Sequence, residues 1–210
     1  VNDIAAILLA AGRSRRMGAF KPLLPFGDRT VIEACVTTFR EAGVEEIIVV
    51  LGHRADDVRE QLRSYQITFA VNPDPDSEMS TSIAKGIDRV SPDAKAALIS
   101  PADLPAVPAE TIKSICDEWR RTGTRLIQPE HAGRGGHPVL VDLAYRDELM
   151  HLAPRTGLRS LFDRHRQTVR RLPVSSPFVA RDVDTWEDYC DLHLAVFGCK
   201  PEQIEVGSRP

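Results

Sequence analysis

The feature that most constrains the fold is the run Ile4 to Ala11, eight consecutive apolar residues that open into a loop carrying Gly12 and Gly18. A membrane-spanning helix needs about 20 apolar residues, so no span is expected here. The run has the length of a strand buried on both faces, and the glycines mark the chain's exit from it. The basic cluster Arg13, Arg15 and Arg16 follows the apolar run instead of preceding it, unlike a signal peptide.

The same grammar continues through the first half. Thr30 with Glu33 three residues later reads as a capping box, and Val31, Ile32, Cys35, Val36 and Phe39 form a helical stripe ending before Gly43. Strands are expected over residues 46–51, 67–71 and 96–100, with a short helix over 55–63 between the first two. Ser80 can cap a helix running to about Val90, and Pro108 suits the start of another that Gly123 stops. Later strands are expected over 126–128 and 139–142, and a second capping box, Thr185 to Asp188, opens a terminal helix with Tyr189, Leu192, Val196 and Phe197 on its apolar stripe. Alternation of strand and helix predicts an α/β fold, a three-layer α/β/α Rossmann-like arrangement whose mostly parallel sheet is covered on both faces. Ligands bind such sheets beyond the carboxyl ends of the strands. The loops after Leu9, Val71 and Ser100 all leave that edge.

With 210 residues, one domain over 1–198 and a mobile tail over 199–210 are expected. The net charge of −3 offers no general attraction to nucleic acid or to an acidic membrane, so any anion site must be local. Cys35, Cys116, Cys190 and Cys199 lie far apart without a CxxC pair, which points to reduced thiols and a cytoplasmic protein.

The chemistry concentrates in Leu9-Ala10-Ala11-Gly12-Arg13-Ser14-Arg15-Arg16-Met17-Gly18-Ala19-Phe20-Lys21. Small residues let backbone N–H groups approach a polyphosphate, and the arginines and Lys21 bring positive charge to the same loop. A solvated basic turn is the plain alternative. The segment is neither a Walker A loop nor a Rossmann GxGxxG.

This segment resembles the LAAGxSxRMGxxK signature of the nucleotidyltransferases that include the molybdopterin cytidylyltransferases and guanylyltransferases. SEMSTSIAKG, PADLP, GRGGHPVLV, and GLRSLF followed by RDVDTWEDY agree in order and spacing, so the resemblance runs from Ile4 to about Tyr189. It implies that Leu9, Ala10, Ala11, Gly12 and Arg13 meet a nucleotide, and that Arg16 and Lys21 hold its triphosphate as catalytic groups. LAAG, where the guanylyl branch reads LAGG, favours CTP through Ala11, and Ser80, Thr81 and Ser82 resemble the loop that faces the base. Asp103 alone reads as a turn residue between prolines; the resemblance makes it a Mg²⁺ ligand and catalytic residue. PADLP stands where relatives often carry a Gly-Asp pair. Asp184 is the implied second metal ligand and Asp182 the reserve, two carboxylates at i and i+2 that share one side of a strand. Gly136 and His137 are implied acceptor contacts; an ordinary turn with an exposed histidine is the alternative.

The resemblance therefore implies transfer of CMP from CTP to molybdopterin with Mg²⁺, possible delivery to a molybdenum hydroxylase being part of the same picture, and neither nucleic acid nor membrane as partner. A relative using GTP or another phosphorylated acceptor, and a non-catalytic cofactor chaperone, stay open. Trp119 and Trp186 read as packing residues, and Arg164, Arg166, Arg170 and Arg171 as a solvated basic face.

Overall fold

The computed structural model describes residues 3–14, 16–74 and 76–201. Strand β1 (Ile4–Ala10) lies at the middle of the sheet, and the 3₁₀ turn Lys21–Leu23 leads to a hairpin of β2 (Pro25–Phe26) and β3 (Arg29–Thr30). Helix α1 (Val31–Glu41) follows at once. Its capping box is made as the sequence predicts: the Thr30 N–H donates to Glu33 Oε2 at 2.8 Å and the Glu33 N–H to Thr30 Oγ1 at 3.4 Å. Then come β4 (Glu46–Leu51), α2 (Ala55–Gln61), β5 (Thr68–Val71), α3 (Met79–Ile87), β6 (Ala96–Pro101) and α4 (Ala109–Thr122). The second half contains β7 (Leu126–His131), β8 (Arg134–Gly135), β9 (Val139–Asp142), α5 (Arg146–Met150), α6 (Leu158–Arg164), β10 (Val169–Pro173) and α7 (Trp186–Phe197).

The sheet runs β10-β7-β9-β6-β1-β4-β5, with β8 attached to β7. All neighbours on this path are parallel except β9, which is antiparallel to both β6 and β7. The expected mostly parallel sheet is therefore present. Side chains of β1 alternate between its two faces. Ala6 and Leu8 join Ile32, Phe39, Ile112 and Ile115 in one apolar cluster. Ala5 and Ile7 join Ile83, Ile87, Leu149 and Leu161 in another. Helices α1 and α4 thus cover one face and α3, α5 and α6 the other.

A third apolar cluster joins Leu24, Phe26 and Val31 to Val183, Tyr189 and Leu192, so α7 packs on the hairpin. Its capping box holds, with the Thr185 N–H donating to Asp188 Oδ2 at 2.7 Å. The expected stripe divides, however: Tyr189 and Leu192 are buried, whereas Val196 and Phe197 remain exposed. The ring of Phe197 lies over Gly27.

Several boundaries differ from expectation. Glu78, not Ser80, occupies the N-cap position of α3, and no side chain caps that helix. Ser80 already lies inside the first turn, where its side chain is buried. Strand β7 continues through Pro129 to His131 because β10 pairs along it, Leu172 opposite Pro129. Residues 182–184 form no strand. The tail expected over 199–210 falls, from residue 202 onward, outside the described residues. Among the described residues no helix is long and apolar enough to cross a membrane, and the four cysteines are unpaired.

Helix α3 approaches the sheet closely through Gly86, where an added Cβ would stand 2.5 Å from Ile7 Cγ2 and 3.1 Å from Val50 Cγ2. Both partners are fully buried branched residues with no room to retreat. Gly86→Val is therefore expected to lower unfolding free energy by about 1–3 kcal/mol, the usual cost of overpacking. Urea unfolding checks this, and unchanged stability would contradict the packing described.

Candidate active site

Parallel pairing on both sides of β1 sets the site. Leu9 stands opposite Pro101 and Ala10 opposite Leu51, so the segments after β1, β4 and β6 emerge together. Further bonds fix the loops: the Ala102 N–H donates to the Leu9 carbonyl at 3.1 Å, and the Asn72 N–H to the Leu51 carbonyl at 2.8 Å. Gly52 permits the close approach of the β4 exit to the β1 loop, since a Cβ there would meet the Ala11 carbonyl oxygen at 2.6 Å and Ala11 Cα at 2.9 Å. The basic loop folds back through Ser14, whose Oγ accepts from the Lys21 N–H at 3.2 Å. Ser14 sits at φ 52°, a left-handed conformation unusual for a residue other than glycine.

These loops enclose a cavity of about 400 Å³. Leu9, Ala10, Ala11 and Gly12 form one wall, Arg16 and Lys21 the basic side, and Asp103, Asp182 and Asp184 the acidic side. Ser82 also lines it. Arg13, Ser80, Thr81, Gly136 and His137 lie outside the lining. Arg13 faces Asp76 at 3.6 Å, and Gly136 is wedged against the Val179 carbonyl, where a Cβ would come within 2.2 Å. His137 is held by its backbone N–H on the Val179 carbonyl at 2.7 Å and by Nδ1 opposite the Ile99 carbonyl at 3.4 Å. Burial lowers its pKa, opposed by the Ile99 bond and by the nearby charge of Asp182. The ring therefore favours the neutral form.

The basic and acidic sides meet in one cluster. Lys21 Nζ donates to Asp103 Oδ2 at 3.2 Å and to Asp184 Oδ1 at 2.8 Å, while an Arg16 guanidinium nitrogen sits 2.6 Å from Asp184 Oδ2. The cation expected between these carboxylates is thus supplied in part by the chain itself. Asp184 is held below the usual carboxylate range, chiefly by the hydrogen bond from Lys21. Asp103 moves the other way: burial raises its pKa, partly offset by Lys21 and reinforced by Asp182 and Asp184. Its Oδ1 is buried and has no hydrogen-bond partner among the described residues. An orphaned carboxylate oxygen beside a second carboxylate fits a hard divalent cation, since Mg²⁺ usually takes only one or two protein carboxylates and completes its shell with phosphate and water. No group of three or more His, Cys, Asp or Glu side chains that could hold a metal by themselves occurs among the described residues. Such an ion would therefore depend on its substrate for ligands.

Asp184 reaches the cavity because Val183 is fully buried in the cluster beneath α7 and the Val183 N–H donates to the Asp103 carbonyl at 3.3 Å. One bond thus ties the two acidic segments together. The four arginines of the basic segment near the C-terminus are engaged elsewhere: Arg164 with Glu148, Arg166 with Asp163, Arg170 with Glu118 and Arg171 with Glu130. Trp119 packs in the core and donates Nε1–H to Asp142 at 3.2 Å.

Sequence reasoning passed over Asn72, Asp74, Ser77 and Met79, all of which line the cavity. The Asn-Pro-Asp-Pro run reads as a turn, and the one clue was its place after a strand that ends at the same edge as β1 and β6.

Residues 6–169 match the MobA-like NTP transferase domain family. The chain belongs to that family. Among curated relatives it is similar to the molybdenum cofactor cytidylyltransferase of Escherichia coli K12, at 25% identity over 90% of this chain and 95% of that one. It is also similar to the nicotine blue oxidoreductase of Paenarthrobacter nicotinovorans, at 28% identity over 88% of this chain and 93% of that one. Among solved structures, Rv0371c from Mycobacterium tuberculosis H37Rv superposes with a TM-score of 0.82 at 32% identity, covering 91% of this chain and 98% of that one. A complex of the same mycobacterial protein with manganese gives 0.79 at 31% identity, covering 92% and 100%.

The contact at Gly52 yields a test. Gly52→Ala must push the Ala11 backbone into the cavity, so nucleoside triphosphate binding is expected to weaken at least about tenfold, or 1.4 kcal/mol, with the fold retained. Titration calorimetry with circular dichroism checks both, and unaltered affinity would contradict the assigned wall.

Proposed function

We propose that this chain transfers CMP from CTP to the terminal phosphate of molybdopterin, forming molybdopterin cytosine dinucleotide and pyrophosphate. The observation that carries this reading is the union, in one cavity, of the Leu9–Gly12 backbone, the Lys21 ammonium and the buried, unpartnered Asp103 Oδ1. The named E. coli relative favours the same donor and acceptor.

An acceptor phosphate oxygen is nucleophilic at neutral pH, so the protein needs only to align reactants and offset charge. The acceptor oxygen bonds to the α-phosphorus as the bond from that phosphorus to the bridging α–β oxygen breaks, and pyrophosphate leaves with the electron pair. Backbone N–H groups of Ala11 and Gly12, which line the cavity, are the proposed contacts of the phosphate chain. Lys21 and Arg16 offset the charge that grows on the leaving pyrophosphate, for which Lys21 turns from its carboxylate partners toward phosphate. Asp103 and Asp184 would hold Mg²⁺, which when bound supplies charge neutralisation at the phosphate oxygens. The manganese complex of the mycobacterial neighbour favours a divalent ion of this kind.

Ala11 supports CTP, because the segment reads LAAG where the guanylyl branch reads LAGG. Ser82, with Ser80 and Thr81 behind it in the same helical turn, is the proposed base-facing element, and Arg13 a proposed outer contact of the nucleotide. Gly136 and His137 are the proposed acceptor contacts, outside the cavity lining, and the charge of Asp182, which does line it, reaches the His137 ring. A molybdenum hydroxylase is the proposed recipient of the product, and the cytoplasm, where unpaired thiols persist, the proposed compartment.

Pyrophosphate release from each of CTP, GTP, ATP and UTP, with Mg²⁺ and with or without molybdopterin, tests the reading. Release that requires both CTP and molybdopterin is expected. Lys21→Ala and Asp103→Ala should each lower it at least about tenfold, equivalent to 1.4 kcal/mol. Release from GTP alone among the donors, or reduction of nicotine blue without pyrophosphate release, would overturn it.

A further inference from the structure

The segment after β5 adds a feature that the reading above does not use. Along the sheet edge, β6, β1, β4 and β5 follow in order, so Asn72 lies three strand spacings from the strand that delivers Asp103, about 14 Å at about 4.8 Å per step. The cavity changes character over that distance. Lys21 and Arg16 stand at the end that suits phosphate; at the other stand Asn72, Ser77, Ser82, the Asp74 carboxylate, which repels phosphate, and Met79, an apolar side chain left 52% exposed. An exposed thioether beside neutral hydrogen-bonding groups suits a planar base.

Hydrogen bonding at this end has a fixed direction. The Asp74 backbone N–H, which can only donate, meets Asn72 Oδ1 at 3.3 Å. The Asn72 amide is thereby oriented with its NH₂ toward the two serines, donating to Ser77 Oγ at 2.7 Å and to Ser82 Oγ at 2.9 Å. Ser77 spends its own hydrogen on the Asp74 carbonyl at 2.8 Å. Ser82 Oγ accepts from Asn72, and its hydrogen has no acceptor among the described residues. Asn72 is 2% exposed and Ser82 5%, so water does not readily reverse this arrangement. Ser82 thus offers the cavity a donor.

We propose that Asn72 is a positioning residue for base choice, holding the Ser82 hydroxyl as a donor toward the acceptor nitrogen N3 of cytosine. Uracil carries N–H at that position and would meet the hydroxyl hydrogen with like polarity. This inference rests on the reading of the cavity as a CTP site.

Replacing the amide by a carboxylate of the same shape reverses the polarity. In Asn72→Asp the carboxylate accepts the Ser82 hydrogen, leaving a serine lone pair toward the base, which suits uracil N3–H and not cytosine. Calorimetric titration of CTP and of UTP, each with Mg²⁺ and without acceptor, reads the preference directly. The ratio of the two affinities is expected to move about tenfold toward UTP, several-fold from each base as one hydrogen bond is lost or gained. Ser82→Ala, which buries no new charge, is expected to erase the preference for CTP over UTP by itself, and Asn72→Asp in that background to add no further change in ratio. Equal weakening of both nucleotides by Asn72→Asp would mark a merely structural role and overturn the inference, as would a ratio shift that persists without Ser82. A wild-type preference for GTP or ATP would overturn the CTP reading and this inference with it. A CTP preference untouched by Asn72→Asp would overturn the inference alone.

Discussion

The site depends on β1 being paired in parallel on both sides. A strand clamped between β4 and β6 cannot shift its register without moving a continuous set of fully buried side chains, among them Ile7, Leu8, Ile48, Val49, Leu98 and Ile99. That fixed register places Ala10 beside Leu51 and Leu9 beside Pro101, so the glycine loop, the exit of β4 and the Asp103 turn occupy one edge. Gly52 and the Leu9 carbonyl then draw these loops within contact distance of each other. Hydrophobic packing thereby sets the positions of groups that never enter the core.

On that frame the electrostatics are nearly self-contained. Four carboxylates (Asp74, Asp103, Asp182 and Asp184) and two cations line one cavity, and Lys21 bridges two of the carboxylates. The arrangement leaves one oxygen of Asp103 buried without a partner, a costly state that a bound cation would relieve. Lys21 and a metal ion are natural competitors for the same oxygens, and a triphosphate that attracts Lys21 also supplies the ligands the metal lacks. Donor nucleotide and metal are thus physically coupled in this reading. The tie from Val183 to Asp103 and the capping box at Thr185 hold the second carboxylate in place, which gives α7 a role at the site although it lies outside the main sheet.

Much of this was legible in the sequence, for reasons that lie in the residues themselves. The eight-residue apolar run, the two capping boxes and the Gly123 stop are local signals whose physics does not await tertiary contacts, and each appears where the pattern places it. Lys21, Asp103 and Asp184 were legible through family resemblance, and the structure brings all three together. What was not legible depends on partners distant in sequence. Strand β7 passes through a proline because β10 lies alongside it; Asp182 and Asp184 reach the cavity without a strand because Val183 anchors the segment between them. Ser80 forfeits its capping role because α3 begins at Met79, two residues before a helix capped by Ser80 would begin. Asn72 looks like part of a proline turn until its amide is seen to organise two serines.

On the proposed function, a triphosphate and a divalent ion bind this cavity as one unit, through Asp103. Calorimetric titration of CTP in Mg²⁺ and in EDTA, on the unmodified protein and on Asp103→Asn, tests it most directly. Mg²⁺ is expected to strengthen CTP binding at least about tenfold in the unmodified protein, or 1.4 kcal/mol, and to give no such gain in the variant. Equal affinity with and without Mg²⁺ in the unmodified protein, or a full gain in Asp103→Asn, would contradict it.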